Sequence, residues 1–247
     1  MKEKIIFTDV LIDLAQPRLC TKVIYKTDDF FASANRIISP TIPVFKEGVF
    51  DKHGKWMDGW ESRRKRTSGH DYIILKLGKP GKISKIDVDT SHFNGNQPAM
   101  ISFEGAISNS NKINQLKWIP VLSKKKTRAN SHHFFSVNNK RVFTHIKFNI
   151  FPDGGVARLR LNGEVIYNFD INEKIDYELS SLNLGGKIIT YNNAHYGDVS
   201  ALLSSGRGKT MGDGWETRRR RTPGNDWIII KLAHVGICLL YTSPSPR

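Results

Sequence analysis

The chain has 247 residues, with 38 Lys and Arg against 23 Asp and Glu, a formal net charge of +15 at pH 7, and 39% hydrophobic residues. That apolar content supports a packed core and excludes a disordered polycation, while the length suits one large domain or two of ordinary size. The positive excess favours anionic partners, from small carboxylates to nucleic acid, and two cysteines, Cys20 and Cys238, are too few for a disulfide framework.

At the N-terminus, Asp9 and Asp13 interrupt the only apolar run, so nothing there resembles a signal peptide or a membrane span. An intracellular, cytoplasmic location is the expectation. Strand signals then dominate: Val23–Tyr25, Tyr72–Leu77, Ile83–Asp89, Met100–Phe103, Val142–Ile150 and Ala157–Leu161 are short, rich in β-formers and separated by Gly, Pro, Asn and Asp. Asp153-Gly154-Gly155 predicts a hairpin turn joining the last two. No segment sustains a 3.6-residue apolar period. The expected fold is all-β, a sandwich of jelly-roll type.

One segment occurs twice. Asp58–Leu77 and Asp213–Leu232 are identical at 14 of 20 positions without a gap. The offset of 155 residues is too long for a solenoid and suits a duplicated domain. Upstream, Lys22–Thr27 aligns with Lys187–Asn192 at an offset of 165, so the first copy carries ten extra residues within 38–55. The expected organisation is a first repeat over 1–175, a shorter second repeat over 183–237, and a tail, 238–247, foreign to both. With half its strands absent, the second repeat is expected to pack poorly and the chain as it stands to be inactive.

The residues shared by the two copies are charged as well as apolar: Asp58-Gly-Trp-Glu-Ser-Arg-Arg-Lys-Arg is matched by Asp213-Gly-Trp-Glu-Thr-Arg-Arg-Arg-Arg. Together with Gly69–Leu77, Asp89-Thr-Ser-His-Phe-Asn-Gly-Asn-Gln-Pro98 and Asn149-Ile-Phe-Pro-Asp-Gly-Gly-Val-Ala-Arg-Leu-Arg160, this block resembles the allantoicase family from about Asp9 to Leu232. The resemblance implies tandem jelly-roll domains of the galactose-binding-like kind. It also implies hydrolysis of allantoate to ureidoglycolate and urea in purine (allantoin) catabolism.

Allantoate carries a carboxylate and two ureido groups on one carbon. Arginine forks match a carboxylate bidentately, which nominates Arg63, Arg64 and Arg66, with Arg218 and Arg219 in the second copy. In an extended segment Arg64 and Arg66 share one side. Asp58, Trp60, Asn94 and Glu216 complete the expected substrate contacts. Glu61 is the candidate for proton transfer, since a carboxylate beside Trp60 is open to desolvation, and His92, with Asn94 and Asn96 beside it, is the second. Each has a plainer reading: Asp58 and Gly59 as a turn, Trp60 as core, Glu61 in an ion pair with a neighbouring arginine, Asp71 and Asp226 as turn residues. His70 and His132-His133 have no metal-ligand spacing, so no cofactor is expected and metal dependence is weakly supported.

The expected partner is a small molecule, allantoate, with no nucleic acid and no membrane, in a homo-oligomer when full length. The alternative is a non-catalytic ligand-binding module, which a shared fold does not distinguish from an enzyme.

Overall fold

The computed structural model describes residues 6–7, 11–110, 112–170, 175–208, 210, 212–221 and 223–238. It separates into two compact units, Leu11–Asn168 and residues 1–10 with 169–247. Most of the tail expected to be foreign, 239–247, lies outside the described residues.

One strand organises the first unit. Asp71–Asp89 runs for 19 residues where the sequence pattern predicts two shorter strands. Its first half pairs with Lys22–Lys26 on one edge and Val142–Phe151 on the other. From there the sheet continues through Met100–Ala106 to Ile119–Lys126. Its second half pairs with His132–Ser136 and Arg158–Val165, and the latter with Ile12–Asp13. All these pairings are antiparallel, and the strand passes between the two sheets of a jelly-roll sandwich.

The corner lies at Leu77–Pro80, where the register against Val142–Phe151 slips: Phe143 faces Gly81 but His145 faces Lys76. Extra residues at such a bulge bend the strand and accommodate a proline. The bend brings Gly78 against the preceding loop so closely that a Cβ there would lie 1.6 Å from the Leu19 carbonyl oxygen.

The two sheets enclose an apolar core. Ile73, Leu75, Ile101, Phe103, Ile146, Phe148 and Ile150 from one sheet and Ile86, Val88, Leu159 and Leu161 from the other are buried, following the two-residue period of each strand. Phe103 stacks on Phe148 with centroids 4.6 Å apart, and Trp60 meets Phe148 edge-on at 6.0 Å.

Asp153-Gly154-Gly155 is not a hairpin turn. The strands it joins pair with different stretches of Asp71–Asp89, so the chain crosses from one sheet to the other, and Gly154 takes φ 135° on the way. The crossing places Gly155–Val156 against Trp60–Glu61.

In the second unit, Ile6–Phe7, Lys187–Tyr191 and Ile228–Lys231 form a three-stranded antiparallel sheet. The N-terminal strand therefore sits with the second copy rather than with the first repeat. The duplicated block also repeats its hydrogen bonds. The Trp60 indole donates to the Asp28 carbonyl at 2.8 Å, and the Trp215 indole to the Asn193 carbonyl at 2.7 Å. Lys65 pairs with Asp71 at 2.8 Å and Arg220 with Asp226 at 3.0 Å. Asp71 also accepts from the Thr27 hydroxyl at 2.9 Å, and Asp226 from the Asn192 amide at 3.2 Å. The two aspartates read as turn residues are thus the centres of matching clamps between the block and the end of an earlier strand, 44 residues back in the first copy and 34 in the second.

What differs is cover. Ile74 is 1% exposed, whereas its counterpart Ile229 is 52% exposed on a four-residue strand. The local clamp folds in both copies, and among the described residues the full sandwich surrounds the first.

Asp71 is almost wholly buried and holds two partners, so Asp71→Ala strands an ammonium and a hydroxyl together. Denaturant unfolding is expected to show a loss of about 3 kcal/mol, as for other broken buried ion pairs. A loss well under about 1 kcal/mol would show that the clamp does not hold the block.

Candidate active site

Three segments of the first unit meet at one end of the sandwich: Asp58–Glu61, the loop Asp89–Pro98 and the crossing Gly154–Arg158. Their closeness depends on having no side chain at two positions. A Cβ on Gly59 would lie 2.4 Å from the Val156 oxygen and 3.0 Å from Phe93 Cε2, and one on Gly155 would lie 2.0 Å from Phe93 Cε1. The buried Phe93 ring fills the space between these two backbones.

Glu61 is pinned on both sides. It pairs with Gly155 along one edge and with Ala32 along the other, where Glu61 N–H donates to the Ala32 carbonyl at 3.1 Å. With the backbone fixed, its carboxylate meets Asn96, whose amide donates to Oε1 at 2.8 Å. Asn96 is itself held, because its carbonyl accepts from Gly155 N–H at 2.7 Å. Burial raises the Glu61 pKa above the ordinary carboxylate value, and the Asn96 bond opposes this only in part. The ion pair considered for Glu61 with a neighbouring arginine does not form.

The remaining candidates divide sharply. Trp60 is 0% exposed and packs in the core beside Glu61. Asp58 is also committed to the fold: Oδ2 accepts from Arg158 Nη2 at 2.7 Å and from Val44 N–H at 2.9 Å. Arg158, buried on the sheet, further donates to the carbonyls of Asp58 at 2.9 Å and Thr41 at 2.8 Å.

Arg63 turns its guanidinium onto Asp28 at 2.7 Å and over the Phe30 ring at 5.1 Å, although it is 63% exposed. Burial works to raise the Asp28 pKa, but the N–H groups of Arg63 and Phe30 and the guanidinium together hold it below the usual range. Lys65 points inward to Asp71, which leaves Arg64 and Arg66 as exposed cations of the run.

His92 adopts φ 69°, with its N–H donated to Asn130 Oδ1 at 2.9 Å. Its ring packs on Phe45 with centroids 6.0 Å apart, and Nε2 lies 3.3 Å from the Pro43 carbonyl oxygen. Asn94 is exposed beside it. In the second unit, Glu216 bridges to Tyr196 through its backbone, and Arg218 and Arg219 are exposed. Among the described residues no three His, Cys, Asp or Glu side chains gather as a metal-binding group, and no helix is long and apolar enough to cross a membrane.

The structure thus joins Glu61 to Asn96, whose loop also carries His92, while Arg64 and Arg66 follow Glu61 in sequence as exposed cations. Sequence reasoning missed Asp28, Phe93 and Arg158. Arg158 has a faint signal, since an arginine directly after the apolar pair Val156-Ala157 needs an acid if buried, but its partner lies 100 residues away.

Fold and site define a tandem β-sandwich protein whose repeated charged block carries one partly buried carboxylate. The allantoicase repeat model matches residues 12–166 and 177–240. A probable allantoicase from Pseudomonas fluorescens strain SBW25 is 50% identical over 229 residues, 91% of this chain and 69% of that protein. A solved allantoicase structure superposes with a TM-score of 0.78 at 34% identity, covering 91% of this chain and 68% of its own. An allantoicase from Saccharomyces cerevisiae superposes with the same score at 31% identity, covering 94% and 76%. The chain belongs to the allantoicase family.

The two copies of the block offer a matched test of the packing. Gly59→Ala must displace backbone and is expected to cost roughly 3 kcal/mol or more. Gly214, its counterpart, has nothing within 4 Å of an added Cβ, so Gly214→Ala should stay within about 0.5 kcal/mol in the same melt. Equal effects would contradict the geometry.

Proposed function

We propose that the protein hydrolyses allantoate to ureidoglycolate and urea, with the reacting groups carried by the Leu11–Asn168 unit. The observation that carries this reading is the Glu61 carboxylate, partly buried, held by Asn96 and raised in pKa, in the same segment as the exposed Arg64 and Arg66. Family membership supplies the substrate.

In the proposed reaction the allantoate carboxylate is gripped by Arg64 and Arg66, each able to present a fork of N–H donors. A water oxygen bonds to the central carbon as the bond from that carbon to one ureido nitrogen breaks. The leaving nitrogen takes a proton and departs as urea, and the water loses one, so the sum is allantoate plus water to ureidoglycolate plus urea. A carboxylic acid of raised pKa suits the first transfer and an imidazole the second, which assigns them to Glu61 and His92. Asn94 and the exposed arginines of the second unit, Arg218 and Arg219, together with Glu216, are further candidates for substrate contact.

The same residues argue against a nucleic-acid surface. Arg63 and Lys65 are consumed by Asp28 and Asp71, and a continuous cationic face is what sequence-independent binding requires. A cytoplasmic homo-oligomer acting on a small molecule is the accompanying proposal.

The pH dependence of Glu61 yields a test with a sign. Its folded pKa lies above the unfolded value, so its contribution to stability is intact below the unfolded pKa and is lost as pH rises through the folded pKa. Glu61→Gln keeps an oxygen for the Asn96 amide and removes that burden. The variant is expected to melt at or above the parent at pH 7. It should lose at least about 100-fold in urea release from allantoate, assayed in a form whose second repeat has the length seen in its relatives. Near-parental turnover would refute the assignment, and parental allantoate binding without any turnover in the unsubstituted protein would favour the non-catalytic module.

A further inference from the structure

The ten residues that lengthen the first copy lie within 38–55, beside the candidate site, and their attachment to it is specific. Asp58 accepts the Val44 N–H, Arg158 holds both Asp58 and the Thr41 carbonyl, and Arg160 donates to the Ser39 carbonyl at 2.6 Å. At the other end of the segment, Arg36 donates to the Met57 carbonyl at 2.6 Å and pairs with Asp51 at 2.6 Å. The inner edge of the segment is therefore fastened by polar contacts, while Phe45 leans on His92 and remains 47% exposed.

A carbonyl oxygen can only accept, so the contact between His92 Nε2 and the Pro43 oxygen requires the proton of the neutral ring to sit on Nε2. That leaves Nδ1 with its lone pair. The His92 backbone is held independently, by Asn130 and by the Phe93 packing one residue on, so the loop acts on the ring and not on the chain that bears it.

We propose that Asp58 and Arg158 are positioning residues: they clamp Thr41–Phe45 so that the Pro43 carbonyl and the Phe45 ring hold His92 in one tautomer and orientation, with Nδ1 presented as a proton acceptor. The role of His92 as acceptor from water rests on the hydrolytic reading above; the clamp and the tautomer do not. The two copies of this aspartate differ in their contacts. In the first copy Asp58 Oδ2 accepts from Val44 of the longer 38–55 segment and from Arg158. Asp213 in the second copy, with no such insertion, accepts instead from Thr210 within its own turn.

Two measurements separate the inference from the reading beneath it. The first is ring-nitrogen NMR of His92 in the 247-residue chain, assigned by loss of its signals in His92→Gln. The Nε2–H tautomer should dominate in the parent, and Asp58→Asn and Phe45→Ala should each shift the ring toward a mixture. A parent ring protonated on Nδ1, or a ring unchanged in both variants, overturns the clamp. Phe45 is exposed, so Phe45→Ala keeps the test decisive if Asp58→Asn fails to fold.

The second is kinetic, in the form with a full-length second repeat. Phe45→Ala should lower kcat about tenfold with KM within about twofold. It should have no further effect when His92 is already Ala, because its influence passes through that ring. Equal losses in both backgrounds, or none in either, overturn the inference. If the unsubstituted protein releases no urea while the NMR result holds, the hydrolytic reading fails and the clamp stands.

Discussion

The site depends on a ring lodged between two backbones. Phe93 occupies the space that side chains at Gly59 and Gly155 would take, and that contact draws three distant segments to within hydrogen-bonding range. Close packing makes such an arrangement intolerant of even one added carbon. With the backbones fixed, the Glu61 carboxylate lies against Asn96, half-buried, and burial raises its pKa above the ordinary carboxylate value. The packing that sets this state is in place before any ligand arrives.

The duplicated block divides its labour. Its tryptophan, its lysine or arginine and the aspartate that follows form a clamp that both copies reproduce bond for bond. These residues recur because the clamp is needed wherever the block meets its partner strand. Gly59 and Glu61 depend instead on the crossing segment Gly155–Val156, which belongs to the complete sandwich. Among the described residues Gly214 has no such neighbour, and Ile229 of the Ile228–Lys231 strand is exposed. Recurrence of charge in a repeat therefore marks structure as readily as chemistry, and only the partners of each side chain distinguish them.

This explains what was legible in the chain. The all-β class and the duplication follow from periodicity and self-similarity, which are local properties. The arginine run was less readable: Arg63, Arg64 and Arg66 are all exposed and only Lys65 turns inward, to Asp71. The hairpin expected at Asp153 was wrong because turn chemistry specifies a reversal but not which sheet the next strand joins. The structural ties of Asp58 and Trp60 were hidden for a related reason. Their partners, Arg158 and Asp28, lie 100 and 32 residues away, and a single sequence carries no signal for such pairings. Phe93, in a loop of polar residues, gave no hint that it was the wedge.

The central claim is that packing, not a neighbouring cation, sets the state of Glu61. Direct titration of its side-chain carboxyl carbon by NMR tests that claim. The account predicts a midpoint above that of an ordinary glutamate, with no dependence on the charge of Arg64 or Arg66 strong enough to reverse the direction. A midpoint at or below the ordinary value would contradict it, and would mean that the carboxylate is solvated or ion-paired instead.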